Sequence, residues 1–399
     1  MKTALILPPT TFSFAPIAGL PLIQRTVLSA QRWGFDRIIV LARGHAQELR
    51  RLFASDQRMA GIEVTDTVTS LDGSEVALIA SDHLVTADTF EQINAVRLDG
   101  RALLFGAAGQ SGVARCRPTM LADIDLASLT ASGAEALWAA LRDRGARSVS
   151  LDGAVCARIT DTRSMAAAEA ALCAQLRAAT KGNDGPLAHW VDRRISLRIS
   201  RWLVNHTRLR PNQITLIGTS VGLIAAILLS AGTYWTGIAG TLLFLCATII
   251  DGCDGEVARL KFQESSFGEK LDVITDNIAH VAIFVGLAFG LYHRDPQGHY
   301  LALMSILLGG FLCDMMVTYF FLVRRPGFAE SRGTPVSLKG KLRRWLLRGF
   351  EAVMNRDFAY LLVGFAVADR LSWFLWGAAF GTYLFAVLLV CIYRWRDAR

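Results

Sequence analysis

The first 180 residues alternate short apolar runs with charged and polar segments, the pattern of strands and amphipathic helices in a soluble α/β domain. After them the pattern changes. From Pro211 to Ile250, forty consecutive positions carry no charged residue; as helix they would reach about 60 Å at ~1.5 Å per residue, twice a ~30 Å hydrocarbon core. That length predicts two membrane spans. The turn between them falls near Ala231-Gly232-Thr233-Tyr234-Trp235, where small residues let the chain reverse and the aromatic pair suits a membrane interface. Apolar stretches at 268–292, 299–323, 355–369 and 371–393 bring the count to six. The fifth has the shortest uncharged run, and five spans are the alternative. Between the two halves, Lys181-Gly182-Asn183-Asp184-Gly185-Pro186 predicts a linker. Beyond it Leu187, Val191, Ile195, Ile199 and Trp202 recur at helical spacing, opposed to Arg193, Arg194, Arg198 and Arg201. This pattern predicts an amphipathic helix lying beside anionic lipid, with a helix packed on the soluble domain as the alternative. The expected organisation is a soluble domain over 1–180, a linker and interfacial helix over 181–210, and a transmembrane domain over 211–395.

Composition agrees with a chain partly in the membrane. Hydrophobic residues are 52% and charged residues 19%, against about 25% charged in ordinary soluble proteins, and mean hydropathy is +0.36. Disordered and fibrous classes are excluded. The net charge of +8 admits nucleic acid, anionic lipid or phosphate as partner, and its location decides. Arg324, Arg325, Arg332, Lys339, Lys341, Arg343, Arg344, Arg348 and Arg356 crowd between the fourth and fifth spans, and Arg394, Arg396 and Arg399 follow the last. The loops of the other side carry only Arg294 and Arg370. The positive-inside rule then places the N-terminal domain, both termini and the basic loop in the cytosol of a multi-pass protein of the cytoplasmic membrane. The basic charge answers lipid headgroups or phosphate, not nucleic acid. The run before Pro8-Pro9 is too short for a signal peptide, and the seven scattered cysteines, without a CxxC pair, read as reduced and structural.

The candidate chemistry lies where the second span meets the cytosol and the third begins. Asp251 and Asp254 are i, i+3 on one helix, and Asp272 and Asp276 are i, i+4 on the next, so an antiparallel hairpin gathers four carboxylates. Mutually repelling anions call for cations between them, and hard oxygen donors favour Mg²⁺, Mn²⁺ or Ca²⁺, a pair of which suits clamping a pyrophosphate. Arg259 adds a positive fork for phosphate oxygens, and Gly255 and Gly268 allow close approach. Helix caps with charge pairs, or an acidic cation pathway, are the blander readings. Neither demands Ala258-Arg259 and two glycines at these spacings. Asp314, inside the fourth span, is either functional or a buried helix–helix hydrogen-bonding group.

These residues resemble the signature of the CDP-alcohol phosphotransferase (CDP-alcohol phosphatidyltransferase) family, D-x2-D-G-x2-A-R-x8-G-x3-D-x3-D, and match it at every specified position from Asp251 to Asp276. Pro211-Asn212-Gln213-Ile214-Thr215 is similar to the family's PNxxT segment. The resemblance spans about 185–395. It implies a six-helix membrane enzyme that moves a phosphoalcohol from a CDP-linked donor to an acceptor hydroxyl and releases CMP. By the same resemblance Asp251, Asp254, Asp272 and Asp276 hold two Mg²⁺ or Mn²⁺ ions, and Asp276 is also the general base. Gly255, Ala258, Arg259, Ser265 and Gly268 meet the nucleotide or diphosphate, Asn212 and Thr215 the ribose and base side, and a homodimer is expected. The basic loop either attracts lipid and solvates the cytosolic face or contributes Arg356 to an acceptor's phosphate.

Residues 1–180 resemble, less fully, the nucleotidyltransferase fold of sugar-phosphate and inositol-phosphate cytidylyltransferases. Gly19-Leu20-Pro21-Leu22-Ile23-Gln24-Arg25 and the strand Asp36–Leu41 fit that family. Its Gly-rich basic loop is replaced by Pro8-Pro9-Thr10-Thr11-Phe12-Ser13-Phe14-Ala15-Pro16, which lacks both backbone freedom and charge. Asp82, after the strand Val76–Ala80, stands where the family binds metal, and a turn or cap residue is the alternative. Three functions follow: a phosphotransferase with a degenerate cytidylyltransferase-like domain; a bifunctional inositol-phosphate cytidylyltransferase and di-inositol-phosphate-phosphate synthase; and a cation or lipid transporter.

Overall fold

Aliphatic runs in the N-terminal half build a parallel-centred sheet. In chain order the strands are Lys2–Ile6 (β1), Pro16–Ile17 (β2), Leu20–Pro21 (β3), Arg37–Leu41 (β4), Glu63–Thr65 (β5), Glu75–Ile79 (β6), His83–Val85 (β7), Leu103–Ala107 (β8), Gln110–Cys116 (β9), Arg147–Ser150 (β10) and Cys156–Arg158 (β11). Helices Leu22–Trp33 (α1), Ala46–Ala54 (α2), Ala87–Ala95 (α3), Gly133–Asp143 (α4) and Thr162–Ala179 (α5) alternate with them. The computed structural model describes residues 2–68, 71, 75–107, 110–124, 133–151, 155–179, 187–318 and 357–397. The chain divides into two compact units, Met1–Ala179 and Thr180–Arg399.

In the first unit β1 lies between β4 and β6, parallel to both, with Leu5 opposite Ile39 and Leu78. The sheet order is β10-β8-β9-β6-β1-β4-β5, in which only β9 runs antiparallel to its neighbours. Leu5, Leu7, Ile39, Leu41, Val76 and Leu78 share one core with Trp138 of α4. The alternate positions Ala4, Ile6, Val40 and Ile79 are equally buried, which explains continuous apolar strands rather than strict alternation. Helix α1 begins at Leu22, inside the Gly19–Arg25 segment, and Arg25 of its first turn explains how the preceding turn is held. Its buried guanidinium donates to the carbonyls of Ile17 and Ala18 at 3.0 and 3.1 Å. Glu169 accepts from the Ala18 N–H at 2.8 Å, fixing backbone that enters the left-handed region at Ala18 and Gly19.

The second unit is helical: Arg193–His206 (α6), Pro211–Ser230 (α7), Tyr234–Lys261 (α8), Ser266–Arg294 (α9), Tyr300–Thr318 (α10), then Phe358–Val367 and Leu371–Asp397. The expected turn falls between α7 and α8, where Thr233 caps α8 by accepting from the Thr236 N–H at 3.2 Å. Among the described residues, α7, α8 and α9 are long and apolar enough to cross a membrane. Helix α10 begins where the fourth span is expected, and Asp314 falls on it. Over the described part of the fifth expected span, from 357 on, the helix is the 10-residue Phe358–Val367, about 15 Å long against a ~30 Å core. The linker 181–186, the basic run from Arg324 to Arg356 and residues 319–323 lie outside the described residues.

Close backbone contact holds α7, α8 and α9 together. A Cβ on Gly286 would lie 2.2 Å from the Ala226 carbonyl oxygen, one on Gly290 2.0 Å from that of Leu229, and one on Gly240 2.9 Å from that of Ala225. In lipid such approach replaces the hydrophobic effect as the source of helix association. A Leu at Gly286 is therefore expected to force α9 off α7, costing about 1–3 kcal/mol or more, and a lower unfolding temperature of the detergent-solubilised protein checks it.

Candidate active site

The last turns of α8 carry Asp251, Asp254, Gly255, Ala258 and Arg259, and at 3.6 residues per turn these positions share one face. Helix α9 enters beside them. Its cap is Ser265, whose hydroxyl accepts from the Gly268 N–H at 3.0 Å. Gly268 fits closely here, since a Cβ would come to 3.1 Å from both Asn212 Oδ1 and Ser265 Oγ. Asn212 lies in the first turn of α7 behind Pro211, and one turn later the buried Thr215 hydroxyl donates to Asp254 Oδ2.

Carboxylate oxygens of Asp251, Asp254 and Asp272 lie within 4.8 Å of one another, with Asp254 buried and the other two half-buried. Three hard anionic donors at that separation fit a divalent cation of the Mg²⁺ or Mn²⁺ kind. Asp276 sits one turn further along α9, half-buried and outside this group. Three of the four expected carboxylates meet this separation. An open cleft of about 620 Å³, including its solvent-facing mouth, spreads over the cluster and is lined by Pro211, Asn212, Thr215, Gly255, Ala258, Arg259, Ser265 and Gly268 along with Asp254 and Asp272. Every CDP-side residue expected from the sequence therefore borders one cavity. Arg259 is exposed, and the N-terminal turns of α7 and α9 both open on the cleft, which favours bound anions.

Sequence spacing missed Gln263, Glu264 and Glu269, which also line the cleft. They follow the left-handed end of α8 at Phe262, φ 54°, and a spacer between motif positions gives no sign that the chain doubles back. Arg193 is the other departure. Grouped by periodicity with outward arginines, it turns inward to Glu256 at 3.2 Å, while Val191, Ile195 and Trp202 stay exposed.

In the first unit, Thr11–Phe14 forms a short 3₁₀ turn inside the segment that replaces the Gly-rich loop. The Ser13 hydroxyl donates to the Ser81 carbonyl at 3.0 Å, and the Ser81 hydroxyl to that of Pro8 at 2.6 Å. Both oxygens of the buried Asp82 are engaged, one by His83 Nδ1 at 2.7 Å and the other by Arg158 at 3.0 Å. Burial would raise its pKa, but the hydrogen bonds and charges of His83 and Arg158 hold it below the ordinary carboxylate value.

Residues 208–395 match the sequence model of the CDP-alcohol phosphatidyltransferase family, and that stretch contains the whole cleft. The C-terminal half carries a CDP-alcohol phosphatidyltransferase domain. With its membrane-capable helices this phosphatidyltransferase domain makes the chain an integral membrane protein. The chain is 35% identical over 159 residues to a bifunctional IPC transferase and DIPP synthase of Archaeoglobus fulgidus, covering 40% of this chain and 29% of that protein. It thus spans under a third of the length of that relative. Among solved structures it is similar to the Mycobacterium tuberculosis phosphatidylinositol phosphate synthase with CDP-DAG bound, at 22% identity and TM-score 0.33, covering 49% of this chain and 94% of that one. It is also similar to a nucleotidyl transferase from Methanothermobacter thermautotroptrophicus, at 17% identity and TM-score 0.31, covering 38% and 88%.

Proposed function

We propose that the protein transfers a phosphoalcohol from a CDP-linked donor to the hydroxyl of an acceptor and releases CMP. The observation that carries this reading is the trio Asp251, Asp254 and Asp272, gathered within 4.8 Å under a cleft that two helix N-termini and Arg259 make attractive to phosphate. Asn212 and Thr215 border the end assigned to ribose and base. Gly255, Ala258, Arg259, Ser265 and Gly268 border the path of the diphosphate, where small side chains let its oxygens approach backbone and guanidinium. Asp251, Asp254 and Asp272 would hold Mg²⁺ or Mn²⁺, two ions in our reading, and such ions supply neutralisation of the pyrophosphate and of the departing CMP. Asp276, one turn beyond Asp272 on α9, accepts the proton of the acceptor hydroxyl. That oxygen then bonds to the distal phosphorus as the bond from phosphorus to the CMP oxygen breaks.

The surroundings are assigned with it. The exposed Ile195 and Trp202 of α6, with Val191 just before it, support a helix resting in the membrane interface, with the cleft, the first unit and both termini on the cytosolic side. A homodimer and an acceptor-phosphate contact from Arg356 belong to the same reading. We assign no cytidylyl transfer to the first unit, because its Pro8–Pro16 segment folds onto Ser81 and both oxygens of Asp82 are engaged.

The test is CMP release by the purified protein in lipid with Mg²⁺ or Mn²⁺, offering CDP-diacylglycerol and CDP-inositol separately with a panel of hydroxyl acceptors. Release with one donor is expected. Absence of both release and nucleotide binding would sink the proposal. Pyrophosphate release from CTP and an alcohol phosphate would establish a bifunctional enzyme instead, and cation flux without CMP chemistry a transporter.

A further inference from the structure

Glu256 stands inside the α8 motif, between Gly255 and Ala258, yet faces away from the cleft. At ~100° per residue it lies about 140° around the helix from Asp251 and about 160° from Asp254. It is 2% exposed, on a stretch of α8 whose Cys253, Val257 and Leu260 are buried as well. A carboxylate so placed is costly unless every oxygen is matched. Helix α6 supplies the match: Ser196 Oγ donates to Glu256 Oε1 at 2.6 Å, Ser200 Oγ to Oε2 at 2.8 Å, and Arg193 Nη1 to Oε1 at 3.2 Å. Helix α8 also meets α6 and the segment that follows it on either side of this contact. Ser200 also reaches the Cys253 carbonyl at 3.4 Å, and the buried Lys261 ammonium reaches the carbonyls of Thr207 and Leu209 at 3.4 and 3.3 Å.

We propose that Glu256 is a positioning residue, whose bonds to Ser196, Ser200 and Arg193 lock α6 across the back of α8 and set the rotation at which Asp251 and Asp254 face Asp272. The proposal rests on the transferase reading above, since it concerns the alignment of that cation site. Its logic is geometric. The trio is built from two helices, so its spacing depends on how α8 is turned about its own axis, and apolar contacts alone leave that turn weakly specified. Two short hydroxyls and a guanidinium on one carboxylate fix it, because charge-assisted hydrogen bonds are directional. The Ser196 and Ser200 side chains are too short to follow if α8 rolls. Helix α6 also exposes its apolar stripe, so a force at the membrane surface would reach the cation site through this contact.

The experiment compares E256Q with wild type as full-length protein in detergent, reading Mn²⁺ binding by electron paramagnetic resonance without substrates, together with thermal unfolding and kcat. Gln keeps the shape but removes the charge that Arg193 and both hydroxyls address. The expected result is Mn²⁺ binding weakened about tenfold in the folded protein, as when a support behind a metal ligand is lost, with kcat falling too. A merely structural role would reduce the yield of folded protein and leave the affinity of what folds unchanged. Wild-type affinity in folded E256Q would overturn the proposal. Should E256Q not fold, the S196A/S200A double variant reads the same quantity with the ion pair retained. Failure of wild type itself to bind Mn²⁺ would instead overturn the cation reading on which the proposal stands.

Discussion

Asp254→Asn is expected to lower turnover by about 10³-fold or more, the equivalent of roughly 4 kcal/mol of transition-state stabilisation, and to abolish Mn²⁺ binding in the same protein. Asp254 is the buried member of the trio, and its Oδ2 already accepts from Thr215. Exchange for Asn removes the charge at the centre of the donor set while leaving a group of equal size that still accepts from Thr215. The fold should therefore persist, with helices α7 and α8 still joined through that contact. CMP release and Mn²⁺ titration on one preparation check both halves of the prediction. Near wild-type turnover in this variant would remove the trio from the mechanism.

The second large effect concerns Asp276, and its interest lies in how it differs from the first. Asp276→Asn should reduce kcat by about 10²–10⁴-fold, the range for loss of a general base, while Mn²⁺ affinity stays within a few-fold of wild type. The separation follows from geometry, because Asp276 is one turn beyond Asp272 and outside the group of oxygens gathered within 4.8 Å. Comparable loss of Mn²⁺ binding in the Asp254 and Asp276 variants would make all four aspartates ligands and leave the base unassigned. The contrast between the two variants thus carries more information than either alone.

Much of this site was legible in the sequence because helical spacing is a strong constraint. The i, i+3 and i, i+4 aspartates had to share faces once the helices formed, and Asp254, Asp272, Gly255, Gly268, Asn212 and Thr215 all border one cleft. What spacing left open was the crossing of two helices. Asp272 and Asp276 look equivalent along α9, and only the approach of α8 selects Asp272 for the trio. Helix α6 was misread at Arg193 for a related reason. Ser196 and Ser200 carry no apolar signal, so periodicity passes over them, although they meet a buried carboxylate contributed by a residue more than 50 positions away. In the first unit, composition marked the loss of a phosphate loop at Pro8–Pro16. It gave no hint of the 3₁₀ turn and serine clasp that replace it.

The glycine contacts among α7, α8 and α9 bear on how such an enzyme can be re-engineered. Where backbone lies against backbone at Gly286, Gly290 and Gly240, there is no side chain to exchange and no slack to absorb a larger one. These three helices, two of which carry the aspartates, act as a fixed chassis. A designer seeking a new alcohol at either end of the reaction should leave them untouched and vary α10, Phe358–Val367 and Leu371–Asp397.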